Sequence, residues 1–267
     1  MDLQLADRVV VVTGASKGIG LAIVRTLLEE DARVVAASRS TSPELEALDG
    51  DLVHVAVDMM DPHAPAHAIA AAIEAFGRID VLVNNVGGPP PGVTMPRISF
   101  FDATDDDWRA VFELNLFSAV RATRAAIPLM LERGGGAIVN VSSAVARRPS
   151  PMNVDYAAAK AGLTNLTKVL SEEFGPQGVR VNTVSPGPVR TPWWTDEGGA
   201  ADIIAAQAGT DRDAVLTVVA PEAMGLTTGR LAEPRDIADV VALLASPRSA
   251  NIAGADFVVD SGMLKEV

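Results

Sequence analysis

Tyr156 and Lys160 stand four residues apart in the run Tyr156-Ala157-Ala158-Ala159-Lys160. On a helix, that spacing puts both side chains on one face. A phenol with an ordinary pKa of ~10 shares its proton poorly at neutral pH, and an ammonium beside it favours the phenolate. Such a pair could give a proton to the oxyanion that forms when hydride adds to a carbonyl, or take that proton back. Ser143, just past an apolar run, could hydrogen-bond the developing oxyanion. Asn115, midway along a long helical stretch, could hold a water behind Lys160 for proton exchange. Each residue also has a blander reading: a packed ring beside a solvated amine, serines that only make a turn, an asparagine that is incidental to its helix. Tyr156 is the only tyrosine in the chain, so no other phenol competes for the role.

A second constellation is Thr13-Gly14-Ala15-Ser16-Lys17-Gly18-Ile19-Gly20, between a buried strand and a helix. Its glycines allow a tight turn and close approach to a pyrophosphate, and the helix N-terminus adds N–H donors. The next strand ends at Ser38-Arg39. A carboxylate at that place accepts from a ribose 2′-OH and repels a 2′-phosphate. Ser38 and Arg39, with Lys17 nearby, can neutralise and hydrogen-bond that phosphate, so NADP(H) is the expected cofactor. Asp58, followed by Met59, could accept from the adenine amino group. Asn85, Val86 and Gly87 follow the fourth strand near the middle of the cofactor; turn formation is an equal reading for Asn85.

These residues need a frame. Apolar, β-branched runs at residues 8–12, 33–37, 52–57, 79–83, 137–141, 179–184 and 257–259 read as strands buried on both faces. Helical spacing covers residues 19–30, 64–76, 104–131 and 153–174, with a further helix opening near Pro234. Thr104 and Asp107 form a capping-box signature. The alternation predicts an α/β fold: a doubly wound parallel sheet (Rossmann fold) in a single domain over residues 1–267. Two segments interrupt it: a proline-rich loop at 88–101, and a partly helical stretch at 191–231 that reads as a substrate lid.

Composition narrows the function classes. With no cysteine, disulfides, thiolate metal sites and thiol nucleophiles are excluded. A net charge of −12 opposes binding to nucleic acid or anionic membranes. Met1-Asp2-Leu3-Gln4 lacks the order of a signal peptide, and no apolar run reaches a membrane span, so a cytoplasmic protein is expected. His63 and His67 have the helical spacing of a metal pair, but Pro65 between them weakens a helix and no third ligand is evident; no metal is expected.

Taken in order, these motifs resemble the short-chain dehydrogenase/reductase family over essentially the whole chain, in its simple single-domain type. The matching stretches are the glycine loop, Asn84-Asn85-Val86-Gly87, Asn115, Ser143, Tyr156 with Lys160, and Pro186-Gly187-Pro188-Val189-Arg190-Thr191. The resemblance implies a catalytic tetrad of Asn115, Ser143, Tyr156 and Lys160. It places Gly14, Ser16, Lys17, Gly18, Ile19, Gly20, Pro186, Gly187, Val189 and Thr191 on the cofactor, together with Tyr156 and Lys160. It also implies a homotetramer, or a homodimer, pairing the helices of Asn115 and Tyr156 and packing the C-terminal strands. Val86 replaces a more usual alanine, and Ser261 stands where glycine is frequent.

The leading functional expectation is oxidation or reduction of a small, largely apolar alcohol or carbonyl compound. Val145, Met152 and Trp193, with Pro90, Val189 and Met224, are the expected lining. Trp193 and Trp194 could equally pack the lid itself, whose hinges are read at Gly198-Gly199 and at residues 225–229. The alternative is a 3-oxoacyl-(acyl-carrier-protein) or other β-keto thioester reductase. Arg133, Arg147 and Arg148 favour an acidic carrier, while Glu172 and Glu173 do not. A catalytically silent NADP-binding regulator is a third reading, opposed by the complete tetrad.

Overall fold

Val9–Thr13 forms β1, buried at every position, because a β-branched run suits a pleated surface covered on both sides. The computed structural model describes residues 1–266. The chain continues through α1 (Gly18–Glu29), β2 (Arg33–Ser38), a short α2 (Pro43–Glu46), β3 (Leu52–Ala56), α3 (Ala64–Phe76) and β4 (Val81–Asn84). Next come α4 (Asp105–Phe112), a π-helical turn at Glu113–Phe117, α5 (Ser118–Leu131), β5 (Gly136–Val141), α6 (Val154–Phe174) and β6 (Val179–Pro186). Beyond β6 lie α7 (Pro192–Thr195), α8 (Ala200–Ala208), α9 (Arg212–Ala214), a second π turn, α10 (Ala220–Met224), α11 (Pro234–Ala245) and β7 (Asp256–Val259).

The seven strands form one parallel sheet in the order β3-β2-β1-β4-β5-β6-β7. Alternation along β1 sends Val10 and Val12 to a core with Ile23, Leu27 and Val241 of α1 and α11. Val9 and Val11 face the opposite core, with Ile69, Ala126 and Met130 of α3 and α5. The sheet is doubly wound, as expected. Its switch point lies between β1 and β4, where successive crossovers leave in opposite directions and open a crevice at the carboxyl ends of the strands.

Three features differ from the sequence reading. The helix expected at 104–131 is interrupted by the π turn that contains Asn115. Pro65 does not weaken α3; it lies in the first turn, where a missing N–H costs nothing. The segment after β6 builds a small core of its own around Trp194, Ala201, Val215 and Leu216, and Met224 packs against it. Met224 is half-buried on the flank of that core. Gly199 and Gly225 serve as helix ends. No helix among the described residues is long and apolar enough to cross a membrane.

Candidate active site

At the switch point the loops after β1 and β4 are stitched together. Thr13 Oγ1 accepts from the N–H groups of Asn85 (3.0 Å) and Val86 (3.1 Å), and Asn85 Nδ2 donates to the carbonyls of Thr13 (2.9 Å) and Gly14 (3.1 Å). Gly14 has φ +68°, and a Cβ on Gly20 would lie 2.1 Å from Gly14 O, so only glycine permits this turn. Lys17 is the N-cap of α1 and offers no side-chain cap, leaving the first N–H groups, from Gly18 through Ile19 to Gly20, for an anion. A Cβ on Gly18 would lie 3.3 Å from Thr191 Cγ2, so the glycine loop touches the loop that follows β6.

That second loop is held open by backbone bonds. Gly187 N–H donates to Val259 O at 3.0 Å, and Thr191 N–H to Val189 O at 2.8 Å. Gly187 packs so closely on the C-terminal turn that a Cβ would come within 2.6 Å of Asp260 Cα. Pro186 and Val189 are buried beneath it. These cradles, which a Cβ would fill, suit a dinucleotide lying across the strand ends.

Beyond β2, Ser42 Oγ donates to Ser16 O at 2.8 Å, which folds this stretch onto the glycine loop. Lys17 and Arg39 are exposed there, whereas Ser38 is buried. The Ser38 hydroxyl is already committed, donating to Ser40 O (2.9 Å) and lying 3.0 Å from His54 Nε2. Asp58 is exposed past β3, with Met59 buried beneath it, and one Asp58 oxygen accepts from Met60 N–H at 3.0 Å.

Tyr156 projects from the first turn of α6 and Lys160 from the next. Lys160 is 2% exposed, and its Nζ donates to Val141 O at 2.8 Å. Nζ lies 5.8 Å from the centre of the Tyr156 ring. Burial lowers the Lys160 pKa from 10.5 to about 8, since a buried ammonium loses its hydration. Burial also raises the Tyr156 phenol above its ordinary 10.0, and the hydroxyl of Ser143 opposes that rise. The spacing of Tyr156 and Lys160 predicts a phenol pKa lowered by the ammonium; in the protein alone the net shift is upward, because desolvation exceeds the opposing Ser143 hydrogen bond.

Asn115 sits in the π turn with both amide hydrogens used. Nδ2 donates to Val111 O (2.9 Å) and Gly88 O (3.0 Å), and Oδ1 accepts from Gly88 N–H (2.8 Å). Within this π turn the side chain thus bonds the main-chain carbonyl four residues back. Both amide donors go to carbonyls, which leaves only the second lone pair of Oδ1 for a water. A Cβ on Gly87 would lie 2.8 Å from Lys160 Nζ and 3.0 Å from Asn115 Oδ1. Gly87, Asn115 and Lys160 therefore meet at one point.

A family model for short chain dehydrogenases matches residues 8–200. The chain belongs to the short-chain dehydrogenase family. This short-chain dehydrogenase is 34% identical over 264 residues to the 3-oxoacyl-(acyl-carrier-protein) reductase FabG of Vibrio cholerae, covering 98% of this chain and 99% of that one. It is 34% identical over 272 residues to an L-rhamnose 1-dehydrogenase (NAD(P)(+)) of Azotobacter vinelandii, covering 98% of each chain. Among solved structures it resembles the L-sorbose reductase of Gluconobacter frateurii complexed with NADPH and L-sorbose, with a TM-score of 0.90, 32% identity and 100% coverage of both chains. It is thus an oxidoreductase with a doubly wound fold.

On the substrate side, Trp193 is 38% exposed, whereas its neighbour Trp194 is 3% exposed and belongs to the satellite core. Val145 is half-buried, Met152 is exposed and Pro90 is buried. Among the described residues no group of three acidic or histidine side chains could hold a metal, and His63 and His67 stand apart from the site at the start of α3. The sequence reading missed Arg97 and Asp155, a buried ion pair joining the 88–101 loop to α6. An acidic residue next to the key tyrosine was the one visible signal for it.

Proposed function

We propose that this oxidoreductase uses NADP(H) to interconvert a carbonyl and an alcohol on a largely apolar small molecule, with Tyr156 as acid/base. The observation that carries this is the meeting of Gly87, Asn115 and Lys160 beside Tyr156 and Ser143, at the carboxyl edge of the sheet. The glycine loop, α1 N-terminus, Asn85 to Gly87, Asp58, Met59 and the loop from Pro186 to Thr191 hold the dinucleotide. Arg39 and Lys17, both exposed, would neutralise the 2′-phosphate, and Ser38 supports their loop from beneath. The NADPH complex of the L-sorbose reductase supports the choice of cofactor.

When bound, the nicotinamide supplies or accepts the hydride. Ser143 Oγ hydrogen-bonds the substrate oxygen, Tyr156 donates its proton to that oxygen in reduction and takes it back in oxidation, and Lys160 steadies the phenolate that results. The polar groups near the mouth are spent on each other: Asn153 on Arg97, and Arg147 on Asp256 at 2.7 Å. That supports an apolar lining by Val145, Met152 and Trp193 under a lid at 191–231.

The FabG relative favours a second reading, β-keto thioester reduction on an acyl carrier. The arginines weigh against it. Arg147 and Arg148 are tied to Asp256 and to Met263 O. Arg133 precedes β5, at the opposite edge of the sheet. We also read the chain as a homotetramer built on α4 to α6 and on β7.

The test is an assay of apolar ketones, sugars and an acetoacetyl thioester, followed by NADPH consumption. An apolar ketone should react best, and NADPH should outperform NADH. Arg39→Asp should reverse the cofactor order, and Tyr156→Phe should cut turnover by ~10²–10⁴ with NADPH binding kept. Better use of NADH by the unmodified protein, or a fully active Tyr156→Phe variant, would refute the proposal.

A further inference from the structure

Arg97 is the one charged residue in the loop at 88–101. Its side chain is 9% exposed, and a cation buried that far needs partners. It finds them on two helices. The guanidinium forms an ion pair with Asp155, whose carboxylate is 0% exposed. Its other terminal nitrogen lies 3.5 Å from Asp107 Oδ2. The second oxygen of Asp155 accepts from the backbone N–H of Tyr156 at 2.9 Å.

The backbone of Arg97 is engaged as well. Its N–H donates to Asn153 Oδ1 at 2.8 Å, and its carbonyl accepts from Asn153 N–H at 2.9 Å. Asn153, at φ +53°, is the N-cap of α6. Asp107 in turn caps α4, accepting from Thr104 N–H at 2.9 Å. One side chain therefore ties the 88–101 loop to the N-termini of α4 and α6, the helices that lead to Asn115 and Tyr156.

Stability alone gives no reason for this design, because a buried ion pair can often be replaced by apolar side chains at no loss. A charged fork supplies direction: it fixes two carboxylates at set angles, as apolar packing cannot. We infer that Arg97 is a positioning residue, which through Asp155 and Asp107 fixes Tyr156 and the substrate-facing loop relative to each other. This rests on the reading of Tyr156 as the acid/base.

The decisive variant is Arg97→Met with Asp155→Asn, which leaves no lone buried charge. It should bind NADPH within about twofold of the unmodified protein. Its kcat should fall at least ~10-fold and its KM for the ketone should rise. Amides of residues 97–99 and 153–157 should exchange faster with solvent. Arg97→Lys, which keeps the charge but reaches one carboxylate, should fall between the two, and it carries the test if the double variant does not fold. Turnover and exchange unchanged in the folded variants would overturn the inference. Exchange needs no substrate, so it tests the tie even if no ketone reacts. An inactive unmodified protein, or an active Tyr156→Phe, would overturn only the acid/base reading.

Discussion

Tyr156 is the one phenol of the chain, so its ionisation can be read without interference. Burial raises its pKa, so in the cofactor-free protein phenolate absorbance should develop with a midpoint above 10.0. Adding NADP+ should pull the midpoint down, because the oxidised ring brings a positive charge. A cofactor-free midpoint below 10.0 would contradict this. Lys160 offers a test through stability. Its folded pKa, about 8, lies below the 10.5 of the free side chain, so between these values the unfolded chain binds more protons. Stability from this group therefore rises with pH across that window, by as much as about 3 kcal/mol. Denaturant unfolding of the unmodified protein and Lys160→Met should show the difference between them growing in favour of the former from pH 8 to 10.5. A constant difference would show that the ammonium is not buried.

At the scale of elements, irregular backbone does the positioning. The π turn at Glu113–Phe117 places Asn115 where its amide pairs with Gly88, and this fixes the loop after β4 against Lys160. Gly87 fills the remaining space. In Gly87→Ala the new methyl meets Lys160 Nζ, the end of a flexible chain, so the ammonium moves and the fold remains. We expect turnover to drop by ~10²-fold, as misplacement of about an ångström does, with thermal unfolding little changed. Undiminished turnover would show that this junction has slack. Ser261, at the place where the family resemblance makes glycine frequent, adopts φ +58°, a conformation that favours glycine, in the turn after β7.

For the whole molecule, the surface around α4 to α6 is unusual for a chain carrying −12 charges. Phe101 is 90% exposed, and Phe117 and Val169 are exposed too. Rings run from Phe101 through Phe100, Trp108 and Phe112 to Phe117, with centroids 5.6 to 6.5 Å apart. At one end of the sheet, β7 pairs, among the described residues, only with β6 and leaves its other edge free. Contiguous exposed rings fit an association face, and under the proposed tetramer a second copy of the chain would cover them. Light scattering at micromolar concentration should give a tetramer, and Phe117→Glu should lower the mass. A monomeric unmodified protein would contradict the assembly.

The chain's own neighbours determined much of this. β-branched runs, glycines at 14, 18 and 20, and the four-residue step from Tyr156 to Lys160 are local patterns, and each appears in the structure where the spacing put it. Backbone preference and helical or strand periodicity act over a few residues, so they can be read without knowing the fold. What the tertiary structure alone decided depends on distant residues meeting. The strand order β3-β2-β1-β4-β5-β6-β7 came from the crossovers. So did the commitment of the Ser38 hydroxyl to His54, and the packing of Met224 against a satellite core. Arg97 and Asp155 are 58 residues apart and meet only because the loop after β4 folds across the start of α6. The direction of the Tyr156 shift belongs here as well, since burial is a property of everything packed around a group, and the sequence shows only which charge stands four residues away.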